Sequence, residues 1–177
     1  MSADSGAIGS TLQVPPGTGY IRTSPMKKRL LAAMLCLSIP AGSAIAADGT
    51  ALFQSNCSMC HQPNGQGVPG QFPALAGRVG KIASTPEGRQ YVVAVALNGI
   101  MGAITIQGNS YAGFMPPFKM LADDQVAAIL NHVAGLPDGP DATIFTVQDV
   151  AAARGKSIAP SAMVEKRQAL DALHPLP

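Results

Sequence analysis

Cys57-Ser58-Met59-Cys60-His61 decides the reading of this chain. Two thiols three positions apart are followed at once by an imidazole. One turn of helix brings Cys57 and Cys60 to the same face. There both sulfurs can add to the vinyl groups of one porphyrin, and His61 falls under the iron, where a ring nitrogen can bind it. A bare C-x-x-C is shared by zinc sites, redox dithiols and haem attachment; the adjoining histidine selects c-type haem. A reducible disulfide would leave His61 without a purpose.

Working outward, two further pieces follow in order: Phe72-Pro73-Ala74-Leu75-Ala76-Gly77 and Gly113-Phe114-Met115-Pro116-Pro117-Phe118. With these three the chain resembles the small class I (monohaem) c-type cytochromes of bacteria, from Gly49 to near Leu136. The resemblance implies a mostly all-α cytochrome c fold, with about four helices around one covalent haem c and a short β-hairpin before the methionine loop. It implies that the first helix packs on the last. It implies that a proline carbonyl, that of Pro73 or alternatively Pro69, accepts a hydrogen bond from the second ring nitrogen of His61, fixing the ring and raising its basicity. Leu75 is expected on the haem face.

A class I cytochrome also implies a second axial ligand, and a thioether there raises the reduction potential. Met115 is the candidate, with His61 as the other metal ligand. Gly113 and Pro116-Pro117 make its loop stiff, which a weak neutral ligand needs. Eight methionines make a chance match easy, and a lone Met is often core filler. However, Met59 lies inside the haem motif, Met101 lacks a constrained loop, and Met120 stands at a helix entry. His132, in mid-helix, and His174, in the tail, are poorer rivals for the iron.

Composition fits this picture. Aromatics make up only 5% of the chain and there is no Trp, so a large apolar cofactor is a natural centre for the core. Cys36 is the one thiol outside the motif, which leaves no pair for a structural disulfide. The net charge of +2 is unevenly placed. Residues 1–46 carry Arg22, Lys27, Lys28 and Arg29 against Asp4, whereas residues 47–136 balance four basic groups with four acidic ones. No basic stripe is present, so nucleic-acid binding has no electrostatic support, and strong charge steering toward a partner is not indicated.

The basic cluster belongs to a leader. Lys27-Lys28-Arg29, the apolar run Leu30 to Ile39, a break at Pro40 and Gly42, and small residues at Ala44-Ile45-Ala46 form a secretory signal peptide over residues 26–46. Residues 1–25, rich in Ser, Gly, Thr and Pro, read as sequence upstream of a true start at Met26, or as disordered. An uncleaved anchor is the alternative and would be the only link to a membrane; a polar end rich in Ser, Pro and Gly opposes it. Cys36 lacks the small preceding residue of a lipidated cysteine.

Residues 47–136 form the expected cytochrome domain. Asp48 caps a first helix that runs to Asn56 and into the motif. Pro63 to Gly70 is a loop. Thr85 caps a helix that begins with Pro86 and ends at Asn98-Gly99, and Tyr91 on it serves either a haem propionate or the ordinary core. Gly102 to Phe114 reads as a hairpin with Gly108-Asn109 at its turn. Val126, Ile129, Leu130 and Val133 stripe a last helix over Ala122 to Leu136, and should meet Leu52 and Phe53. Residues 137–177 read as a linker, Pro137-Asp138-Gly139-Pro140, and a partly helical extension. Thr146 caps one short helix there, and Ser161 to Leu173 has helical composition but little apolar face. The extension either wraps the domain or docks on a partner.

The chemistry expected is outer-sphere one-electron transfer in the periplasm by a protein that is not itself an enzyme. It would be a soluble carrier or the cytochrome subunit of a dehydrogenase. Redox proteins are the partners: a dehydrogenase as donor, an oxidase or another cytochrome as acceptor. The alternative is a haem enzyme or gas sensor in which the sixth ligand is labile.

Overall fold

The computed structural model describes residues 46–137 and 144–177, together with the isolated Gln13. The expectations for residues 1–25, for the leader before Ala46 and for the linker beyond Pro137 lie outside the described residues. The order of elements is α1 (Gly49–Asn56), α2 (Ser58–His61), α3 (Val79–Ile82), α4 (Pro86–Asn98), β1 (Ile100–Ile106), β2 (Asn109–Met115), α5 (Asp123–Ala134), α6 (Val147–Arg154) and α7 (Ala162–Leu173). The fold is thus mostly helical, with one two-stranded antiparallel sheet. No helix among the described residues is long and apolar enough to cross a membrane.

Helix α1 starts where Asp48 accepts hydrogen bonds from the backbone N–H groups of Thr50 and Ala51, at 3.0 and 3.1 Å, satisfying donors that the first turn cannot. It crosses α5 at close range, because a Cβ on Gly49 would collide with the Ala128 carbonyl. Phe53 is fully buried there, and the expected stripe Val126, Ile129, Leu130 and Val133 is buried with it. The helix does not run unbroken into the haem motif: Cys57, at φ −122°, closes α1 and opens the single turn of α2.

Thr85 Oγ1 accepts from the Gly88 N–H at 3.1 Å and Pro86 takes the first helical position of α4, as its sequence implies. Gly99 ends the helix at φ 74°, and a Cβ there would strike the Met115 carbonyl, so glycine is required twice over. The short helix α3 has no counterpart among the sequence expectations; four residues carry too little periodicity to show.

The hairpin forms, but its turn is Gln107-Gly108, with φ of 50° and 79°, and not Gly108-Asn109. A two-residue turn of this hand needs positive φ at both centres. Gly108 supplies the second, and Asn109 closes the ladder opposite Ile106. The same register pairs Ile100 with Met115. Met115 therefore ends a strand instead of sitting in a loop, and Pro116, which has no N–H to donate, stops the ladder after it.

Of the two uses considered for residues 144–177, the structure shows the first. Asn131 of α5 donates to the Phe145 carbonyl at 2.8 Å and accepts from the N–H groups of Ile144 and Phe145, both at 2.9 Å. Phe145, Val150 and Met163 are as buried as any side chain in the domain. Helix α6, capped by Thr146, packs on α4 and α5, while α7 packs on α4 and β1. Arg154 closes α6 onto the start of α5, reaching Asp123 at 2.6 Å and the carbonyls of Lys119 and Leu121, both at 2.7 Å.

Candidate functional site

The turn of α2 and the end of β2 face one cleft. Cys57, His61, Pro73 and Met115 line it throughout, Leu75 lines its inner part, and Cys60 its outer part. The sequence-predicted site residues are thereby brought together from four places in the chain. Met59 and Met120 are 87% and 76% exposed, Met101 is half exposed and Met163 is buried in the core. Among the described residues, Met115 is the methionine that lines the cleft. The other histidines stand apart. The His132 ring meets Phe53 between α1 and α5, and His174 lies near Glu87 on the surface.

Local folding fixes His61. The Gly67 N–H donates to the His61 carbonyl at 2.9 Å, and the Gly65 carbonyl accepts from the N–H groups of Leu75 and Ala76, so the loop folds back under the motif. This puts the Pro73 carbonyl 2.9 Å from His61 Nδ1. A carbonyl can only accept, so Nδ1 carries the proton and Nε2 keeps its lone pair. Burial lowers the His61 pKa, with the Pro73 carbonyl opposing more weakly. The ring is then neutral at physiological pH, the form a metal requires.

The thiols do not resemble a redox dithiol. Both are free and half-buried, and Cys57 is pushed up to about 11, mainly by burial and then by Cys60. A reactive dithiol needs the opposite shift. No group of three or more His, Cys, Asp or Glu that could hold a metal ion occurs among the described residues. What remains is an apolar slot with two thiols, a preset imidazole and a thioether on its walls, and it fits haem c.

Sequence reasoning missed three polar groups in the slot: Arg78, Arg167 and Tyr111. Arg78 donates to the Ala74 carbonyl (2.9 Å) and, through two nitrogens, to an oxygen of the terminal residue Pro177 (2.9 and 2.7 Å). Its pKa is lowered to about 10, chiefly by burial and next by the like charge of Arg167. Tyr91, which the sequence left between two roles, lines the same end beside Arg167; burial raises its pKa and that cation partly offsets the rise. Met163, Arg167 and Leu170, at i, i+4 and i+7, form the buried face of α7, but a cation inside that stripe left no apolar pattern in the sequence to reveal it.

Comparison with known proteins accords with this geometry. The family model for cytochrome c matches residues 46–137. A cytochrome c-552 of Thermus thermophilus is 39% identical over 148 residues, which cover 81% of this chain and 97% of the relative. A second Thermus thermophilus cytochrome c-552 is 38% identical over 128 residues, 70% of this chain and 97% of that one. The cytochrome c subunit of a quinone alcohol dehydrogenase from Gluconacetobacter polyoxogenes is 27% identical over 121 residues, 68% of this chain but only 23% of that subunit. The chain belongs to the cytochrome c family, as a bacterial class I c-type cytochrome. It carries covalent haem c, and its function is electron transfer.

Proposed function

We propose that this protein is an exported electron carrier whose haem c is attached through Cys57 and Cys60 and held by His61 and Met115 as axial ligands. The observation that carries the proposal is that a neutral imidazole, its Nδ1–H donated to the Pro73 carbonyl at 2.9 Å, and the methionine at the end of β2 line one cleft. When bound, haem c supplies a reversible one-electron couple at iron. His61 presents Nε2, with Pro73 fixing the ring and raising its basicity. Met115 offers sulfur from a strand end held by Ile100 and stopped by Pro116. With His61 and Met115 both holding the iron, the thioether would raise the potential and the protein would leave no place at the metal for oxygen or peroxide. Leu75, Val79 and Ile104 exclude water from the slot.

The freestanding carrier is favoured over a dehydrogenase subunit, because the c-552 relatives are matched over nearly their whole length and the dehydrogenase subunits over a small part. Redox proteins are the partners, and the reading of residues 26–46 as a signal peptide supports work in the periplasm. Absorption spectroscopy tests the ligation. A low-spin spectrum with a weak far-red sulfur band, unchanged by carbon monoxide at neutral pH, is expected. Met115→Ala should abolish that band and open the iron to carbon monoxide. A high-spin native protein that binds carbon monoxide rapidly would instead make it an enzyme or gas sensor. N-terminal sequencing of the secreted form, expected to start at Ala47, tests export.

A further inference from the structure

The chain does not trail away after α7. The His174 N–H donates to the Leu170 carbonyl at 2.8 Å and closes the helix. The Leu176 N–H then donates to Asp171 Oδ1 at 2.7 Å, which turns the chain back, and the Leu176 side chain packs, half-buried, on the core. Pro177 comes to rest on Arg78 at the N-cap of α3, whose Nε and Nη2 both donate to one of its oxygens, at 2.9 and 2.7 Å. The remaining arm, Nη1, donates to the Ala74 carbonyl at 2.9 Å. A planar fork that makes three bonds has little freedom left, and Arg78 is buried.

Ala74 follows Pro73, whose carbonyl holds His61 Nδ1. Proline has no N–H, so its own nitrogen gives this peptide nothing to be held by. The carbonyl is aimed by whatever holds its neighbours. On one side the Gly65 carbonyl accepts from the N–H groups of Leu75 and Ala76, at 2.7 and 3.0 Å. There too the backbone of Phe72, Pro73 and Ala74 runs so close to Gly67 that a Cβ would collide with it. On the other side the Ala74 carbonyl is held by Arg78. A run of contacts thus joins the end of the chain to the axial imidazole: Pro177 to Arg78, Arg78 to Ala74 and, one peptide back, Pro73 to His61.

We infer that Arg78 is a positioning residue for His61, acting through the Ala74 and Pro73 peptides, and that the tail, residues 174–177, is the brace that keeps Arg78 in place. The inference rests on the reading that His61 binds the haem iron. The acceptor for the second N–H of a ligating histidine fixes its ring and its basicity, and an acceptor carried on a loop is only as steady as the loop. With the tail docked, the Pro73 carbonyl stays put and the Nδ1 proton is kept from water. Without it, Arg78 loses two of its three bonds and the Ala74 carbonyl loses a fixed donor. The bond between Nδ1 and Pro73 should then open more often, while the helices away from the loop keep their stability.

The test is exchange of the His61 Nδ1 proton with solvent, followed by NMR on the ferrous holoprotein at neutral pH. Two variants are compared with the native protein. One lacks residues 175–177 and leaves α7 whole. The other, Asp171→Ala, frees the Leu176 N–H by changing an exposed residue. One hydrogen bond is worth about tenfold in an opening equilibrium, so the shortened protein should exchange this proton about tenfold faster than the native one. Asp171→Ala should move it the same way by less. Amide exchange in α4 and α5 should keep its native rates in both. The inference is overturned if the Nδ1 proton of the shortened protein exchanges at the native rate, or if α4 and α5 speed up in step with it, which is what a merely structural tail would do. If the shortened protein does not fold, Asp171→Ala decides by the same two criteria. The spectra also separate this inference from the reading beneath it. His61 ring protons without the large ring-current shift of an axial ligand in the native protein refute His61 ligation, whereas a native shift with unaltered exchange in the variants refutes only the brace.

Discussion

The body of the domain, residues 46–137, and the segment 144–177 are built by the same rules but announce themselves differently. The body carries a motif that only one chemistry explains, and its helices begin and end on strong local signals. The segment carries no motif, yet it buries Phe145, Val150 and Met163 as completely as the body buries Phe53. It also supplies Arg167 to the cleft. Motifs mark where chemistry is done, while burial marks what the fold cannot lose, and here the two have different boundaries. Paired truncations can break this comparison. Phe53→Ala and Phe145→Ala should each destabilise the protein by about 3–5 kcal/mol, the usual cost of emptying a large aromatic site, measured by denaturant midpoint on the holoprotein. If Phe145→Ala cost under about 1 kcal/mol, in the range of a surface change, the segment would be an appendage.

The site was more legible than the fold around it. Cys57, Cys60 and His61 follow from spacing alone, and Pro73 and Met115 follow once the family resemblance is admitted, because ligand chemistry restricts residue type and order together. The stripe on α5 was legible for a different reason. Four apolar side chains at helical spacing have one use, and the helix that meets them is the one with Phe53. The turn of the hairpin was misplaced by one residue because Gly108 and Asn109 both tolerate positive φ, and only the ladder decides between them. Helix α7 hid its inner face because that face is made of Met163, Arg167 and Leu170, and a cation in the middle of an apolar stripe erases the contrast that reveals amphipathicity. Its burial makes sense only with the cleft in view, which is a three-dimensional fact.

The join between the two regions offers a sharper test of smaller size. Arg154 holds the end of α6 to Asp123 at 2.6 Å and to two carbonyls. The side chains of the pair remain about a third exposed, so water and salt weaken the charge term. Arg154→Met should cost about 1–2 kcal/mol, most of it from the carbonyls left without a donor. Asp123→Asn, which removes only the charge, should cost less and lose its effect in high salt. Thermal melts at low and high salt measure both. If the two substitutions were equal and both insensitive to salt, the ion pair would contribute nothing at the join.

The smallest effect expected is at the other end of α6. The Asp149 carboxylate accepts from Thr146 Oγ1 at 2.7 Å and from the Thr146 N–H at 2.9 Å, while the Asp149 N–H donates back to Oγ1 at 3.1 Å. These bonds, the side-chain one foremost, hold the Asp149 pKa below its ordinary value of 3.8. A depressed carboxylate favours the folded state above the unfolded pKa, and that contribution fades as pH falls through the folded value. The group is largely in solvent, so the contribution is under about 1 kcal/mol. Asp149→Asn should therefore lower the denaturant midpoint slightly at pH 7, and the gap from the native protein should close as pH falls below the ordinary carboxylate range. A gap that stayed constant down to acid pH would show that the amide loses packing or geometry at the cap, and that the charge of Asp149 does not hold α6 to its place.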